Sequence, residues 1–170
     1  MRILYFILSF LSIHTVFSQT IDELIQSASE LHNSNPDSAY YNCTIAEELA
    51  NKTGDEVQQG YCKLCKVRYY LLKNELEKYA EELEKAADLF SRNNSKIGLA
   101  STYLSMANIA GRIKKDNEEI EYIEKANLIF TDLKDTIHIL KSLTNLSLNY
   151  THLGMLDKAE KALIELEKYS

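Results

Sequence analysis

Tryptophan is absent, proline occurs once, at Pro36, and only five glycines punctuate 170 residues. Turns and loops draw on proline and glycine, so a chain poor in both points to long helices joined by short turns. Basic residues are the minority sign, 19 against 25 acidic, for a formal net charge of −6. That balance argues against a broad nucleic-acid-binding surface. Among the three cysteines, Cys62 and Cys65 form a single C-x-x-C, which is half a zinc site without a second pair. None of His14, His32, His138 and His152 has the partner one helical turn away that a helical metal site needs. There is no G-x-S-x-G, no P-loop and no Rossmann glycine run. No metal, cofactor or enzymatic activity is therefore expected.

Long apolar runs are also missing, with one exception at the start. Residues 1–18, MRILYFILSFLSIHTVFS, have a charged Arg2, an apolar stretch from Ile3 to about Ile13, and small residues at Val16 and Ser18. This is the pattern of a secretory signal peptide, with the mature chain expected to begin at Gln19. The stretch is shorter than the ~20 residues a spanning helix needs and is interrupted by Ser9 and Ser12. An uncleaved N-terminal anchor is the alternative. No later stretch could span a membrane. Losing Arg2 takes the balance to 18 basic against 25 acidic, about −7.

What is present is a repeat. Shifted by 40 residues, the sequence falls on itself. Asp55, Ser95 and Asp135 share a column that suits a helix N-cap, where a side-chain oxygen accepts an orphan backbone N–H. Val57, Ile97 and Ile137 follow, then Gly60, Ala100 and Leu140. Val67, Ala107 and Ser147 sit where a smaller residue lets helices approach. Cys43, Leu83, Ile123 and Leu163 form another column, and Ala46, Ala86, Ala126 and Leu166 the next. An irregular bundle has no reason to keep one period over several columns. Hairpins are predicted at about 20–53, 55–92, 95–133 and 135–170, each burying its stripe against the next copy. Lys66 is the misfit, standing in a column that should be apolar.

The pattern resembles the tetratricopeptide repeat. Leu143, Leu146, Ser147 and Tyr150 match the family's large, large, small, aromatic run in the first helix of a pair, as do Tyr103, Met106, Ala107 and Ala110. Gly154 turns the chain into the second helix, where Ala159 and Ala86 supply the small positions. The period exceeds the family's ~34 residues, as in longer variants found in bacterial signalling proteins. The resemblance implies an all-α, right-handed superhelix of about four hairpins over residues 19–170. It implies a non-catalytic scaffold for a protein or peptide in the bacterial cell envelope, periplasmic or secreted. The alternative is a sensor or regulatory segment of a histidine kinase or helix-turn-helix regulator.

On that frame the first helices of the hairpins line a concave groove. Their inward residues are expected to be Tyr61, Leu64, Arg68 and Leu72, then Ser101, Leu104, Asn108 and Arg112, then Lys141, Thr144, Leu148 and His152. Arginines in an otherwise acidic chain would clamp carboxylates of an extended peptide. The alternative is that these are ordinary surface positions. Cys43 and Cys65 each lie 11 residues from Gly54 on opposite sides of a turn. Antiparallel packing would bring them level, where they form a disulfide in an oxidising compartment or Cys43 simply fills its column. The last helix is apolar on its inner face, and Leu163, Leu166 and Tyr169 would be an exposed patch suited to self-association.

Overall fold

A computed structural model describes Ser18 and residues 20–169. Apart from Ser18, the signal peptide expected over residues 1–18, and with it the expected start at Gln19, lies outside the described residues. The fold is all-α: no strand occurs among the described residues, and the helices pack in consecutive pairs. They are α1 (20–31), α2 (Pro36–Thr53), α3 (Glu56–Leu72), α4 (Leu76–Arg92), α5 (Lys96–Arg112), α6 (Asp116–Leu133), α7 (Thr136–His152) and α8 (Leu156–Glu167). No helix among the described residues is long and apolar enough to cross a membrane.

Each helix ends for a local reason. Gly54, Asn74, Asn94, Lys114, Lys134 and Gly154 all have φ between 54° and 71°, the left-handed conformation that stops a helix. They recur every twenty residues. Around them Asp55, Glu75, Lys115, Asp135 and Met155 donate their backbone N–H five residues back, to Ala50, Tyr70, Ala110, Phe130 and Tyr150. This satisfies carbonyls that a helix end would otherwise orphan. The starts are less uniform. Asn35 caps Ser38, Asp55 caps Gln58 and Asp135 caps His138. Ser95, expected to cap as well, makes no side-chain cap hydrogen bond.

Short turns force neighbouring helices antiparallel. Contacts across α2 and α3 bear this out: Asp37 meets Lys73, Tyr40 meets Tyr70 and Glu47 meets Lys63, one index rising as the other falls. The chain divides into two compact units, one ending at Asn94 and one beginning at Ser95.

In the first unit, Ile21, Ala46, Ala50 and Cys62 form one buried cluster, and Ala28, Ala39, Cys43 and Cys65 another. Cys43 and Cys65 are joined by a disulfide between α2 and α3, with Cα atoms 5.7 Å apart. Cys62, one helical turn from it, is a free, fully buried thiol. Gly60 is where Phe90 lands. A Cβ there would stand 2.7 Å from the Phe90 ring, so only glycine lets α3 and α4 approach at that point.

In the second unit the equivalent positions are Ala100 and Phe130, buried together with Ala126, Ile139 and Leu143. Ala107, Ile120, Ile123, Leu146, Tyr150, Ala159 and Ala162 form a second cluster. The expected terminal patch is only partly there. Leu163 is 50% exposed, whereas Leu166 and Tyr169 lie against the Phe130 cluster. Ile97 and Ile137, though in register with Val57, face solvent.

Lysine gains nothing from a left-handed conformation that costs an L-residue about 1 kcal/mol. Lys114 and Lys134 make no ion pair among the described residues. Lys114→Gly and Lys134→Gly should each stabilise the protein by about 0.5–1 kcal/mol in urea unfolding, while Gly154→Ala should destabilise it by about 1 kcal/mol. Destabilisation by either lysine change would contradict the turn geometry.

Candidate functional site

The groove positions read from the sequence divide into two kinds. On α3, Tyr61 packs edge-on to Phe90, ring centroids 4.9 Å apart, and Leu64, three residues on, is half-buried. Arg68 is exposed and donates from Nη2 to Asn33 Oδ1 at 2.8 Å, and Leu72 is exposed. On α5, Ser101 and Leu104 are half-buried, Leu104 against the Phe130 cluster, while Asn108 and Arg112 are exposed. On α7, all four of Lys141, Thr144, Leu148 and His152 are exposed. Tyr61 and Leu104 are therefore packing residues, because Phe90 and Phe130 reach across to them or their neighbours. Ala107 of α5 and Leu146 and Tyr150 of α7 belong to one buried cluster with Ile120 and Ile123 of the intervening α6. In the second unit this leaves an exposed set of Asn108, Arg112, Lys141, Thr144, Leu148 and His152. Arg112 and Lys141 make no ion pair among the described residues.

The misfit residue Lys66 leads to a different feature. It is buried, and its ammonium group donates to Glu47 on α2, which also accepts from Lys63. Lys63 reaches Glu82 on α4 at 3.3 Å, and Lys85 joins Glu82 to Glu81 at 3.1 and 2.7 Å. The result is a ladder of alternating charge across α2, α3 and α4. Burial works to raise the Glu47 carboxyl, but the hydrogen bonds from Lys63 and Lys66 outweigh it and hold it below the ordinary carboxylate range. The ladder continues into tyrosines. Lys66 lies 5.6 Å from the Tyr40 ring centroid, and the Tyr40 and Tyr70 hydroxyls are 3.0 Å apart.

Moving 80 residues along the chain carries α2, α3 and α4 onto α6, α7 and α8. Asn127 stands for Glu47, Leu143 for Lys63, Leu146 for Lys66 and Ala162 for Glu82, while Tyr150 keeps the place of Tyr70. The uncharged, shorter set does not fill the seam. A cleft of about 560 Å³ opens there, floored by Leu143, Leu146 and Ala162, walled by Leu128 and rimmed by Glu124, Lys158, Lys161 and Glu165. Leu128 is 72% exposed. Asn127 Oδ1 is shut off from solvent with no hydrogen-bond partner. Tyr150 donates its hydroxyl to Glu124; burial first, then that carboxylate, pushes its phenol well above the ordinary value. Lys158 lies over the Tyr150 ring at 5.2 Å. At the intermediate 40-residue shift, Tyr103 and Tyr122 take the places of Lys63 and Glu82. They stack at 6.2 Å with Lys125 over both rings.

Nothing in a linear reading marks this cleft, since its residues come from three helices. The available signal was the column comparison itself, four polar or charged residues against three apolar ones and an amide. No group of three or more His, Cys, Asp or Glu among the described residues could hold a metal ion.

No protein-family model matches the chain, and no curated protein sequence matches it. Among solved structures it is similar to BtubC (BKLC) from P. vanneervenii, with a TM-score of 0.72 at 16% identity, covering 95% of this chain and 73% of that one. At that identity the likeness concerns the fold.

The charge ladder makes a direct prediction. Glu47→Ala leaves Lys66 buried without its main carboxylate and should cost about 3–5 kcal/mol. Lys66→Met, which returns the column to its apolar type, should cost less than about 1 kcal/mol or stabilise. Urea unfolding of both variants checks this, and similar small losses in each would mean the ladder holds little.

Proposed function

We propose that the chain is a non-catalytic, tetratricopeptide-like scaffold that binds a protein or peptide, acting in the bacterial envelope after export. The observation that carries the reading is the exposed set on α5 and α7. Arg112 and Lys141 stand without ion-pair partners in a protein of net charge −6, with the exposed Asn108 one turn before Arg112 on α5 and the exposed Leu148 two turns after Lys141 on α7. Charge-assisted bonds from such cations to peptide carboxylates are the strong kind, and arginine forms them in pairs. Leu148, 64% exposed, offers apolar contact on the same helix. A helical fold alone does not supply a function, so the reading rests on these side chains.

Two features support the family and compartment. The left-handed turns every twenty residues give a strict two-helix repeat of forty. A structural disulfide such as Cys43–Cys65 persists in oxidising compartments and is rare in reducing ones.

A peptide library displayed on phage and selected on the leaderless protein should enrich acidic sequences. Calorimetry on a selected peptide should show affinity falling about tenfold or more in Arg112→Glu with Lys141→Glu, a loss of ~1.4 kcal/mol or above. No enrichment, or affinity unchanged by the double reversal, would overturn the reading. For the compartment, protein purified from the envelope, denatured without reductant, should expose one reactive thiol, from Cys62, and three after reduction. Three thiols before reduction would remove the chemical support for export.

A further inference from the structure

The cleft of the second unit has an unmet requirement. Asn127 Oδ1 is buried without a donor, and a buried acceptor left unpaired costs free energy that an incoming N–H recovers. Beneath it Leu143, Leu146 and Ala162 offer an apolar floor. The rim is formally balanced, but its charges are not equally free. Glu124 is held by the Tyr150 hydroxyl and Glu165 faces Lys168 at 3.7 Å. Lys161 makes no ion pair among the described residues, and Lys158 only covers a ring. Glu124 keeps its charge while accepting from the neutral Tyr150 phenol. With Glu165 offset by Lys168, the mouth has Lys158 and Lys161 against one carboxylate and is net positive. In the first unit the equivalent columns bury Lys66 against Glu47, the chain filling its own seam. A volume of about 560 Å³ lies within the ~300–1,000 Å³ of ordinary ligand pockets.

We propose that this cleft between α6 and α8 binds a peptide segment that inserts an apolar side chain beside an acidic one, with a backbone N–H donated to Asn127 Oδ1. The assignment rests on the peptide-scaffold reading but uses Leu143, Leu146 and Tyr150 of α7 rather than Lys141, Thr144, Leu148 and His152. The apolar side chain takes the space that the Lys66 stem takes in the first unit. The acidic neighbour meets Lys158 and Lys161.

The probe is acetyl-Asp-Leu-Asp-amide, titrated into the isotope-labelled leaderless protein and followed by NMR. Saturable shifts should appear at the Asn127 side-chain amide and at Leu128 and Ala162. The analogue with alanine in place of leucine should bind about tenfold more weakly, having lost most of its apolar surface. Asn127→Glu with Leu146→Lys copies the buried pair of the first unit into the second, so it should fold and abolish the shifts. Should that variant fail to fold, Leu128→Asp changes only the exposed wall and should abolish them equally. Lys161→Glu should weaken binding several-fold. Arg112→Glu with Lys141→Glu should leave it unchanged. No saturable shifts, equal binding of the alanine analogue, or binding that survives both cleft variants would overturn the assignment. Loss in the Arg112 and Lys141 variant alone would overturn it too, while leaving the scaffold reading in place.

Discussion

Helix length is the constraint on which everything else rests, and it is set at the turns. A residue added inside a helix rotates all that follows by about 100°, moving the buried stripe towards solvent. The chain avoids this by closing each helix from α2 to α7 with a left-handed residue at a fixed spacing, so that every stripe restarts in phase. Only two of the six closing residues are glycine. Two more, Asn74 and Asn94, are asparagines, which tolerate the conformation, but at Lys114 and Lys134 the backbone is held against its own preference. The five-back hydrogen bonds and the packing on either side must therefore outweigh the local cost.

Given that register, the content of each seam is free to vary. The first unit uses it for an ionic ladder that binds α2, α3 and α4 to one another. Tyr103 and Tyr122 use the same columns for stacked rings under a lysine. The last seam leaves the space open over leucine and alanine. A buried ion pair is seldom the most stabilising filling, but it is demanding about its partner. One repeat spacing thus carries a closed seam and an open one.

Much of the fold was legible in the sequence because the repeat averages out local ambiguity. Helices α3 and α4 run from Glu56 to Arg92 and α5 and α6 from Lys96 to Leu133, where hairpins were expected at about 55–92 and 95–133, since stripe and period both constrain them. Lys66 was visible as a misfit but not as a solution, because its partner Glu47 lies on another helix. Turns at Lys114 and Lys134 carry no compositional sign, lysine being no turn former. Tyr61 and Leu104 were placed in the groove because helical spacing alone cannot tell an outward residue from one covered by a phenylalanine of the next helix. The cleft was illegible for the same reason, as it depends on what three helices leave unfilled.

One feature near the disulfide bears on how the protein keeps its covalent form. Cys62 lies a single turn from Cys65, close enough in sequence to compete for Cys43. Only the thiolate attacks a disulfide. Burial, and then the nearby Glu47 carboxylate, push the Cys62 thiol up to about 12. At neutral pH that leaves roughly one molecule in a hundred thousand ionised there. The interior thus acts as a chemical lock, in which the third sulfur stays protonated and the wrong isomer is suppressed without that sulfur having to be removed.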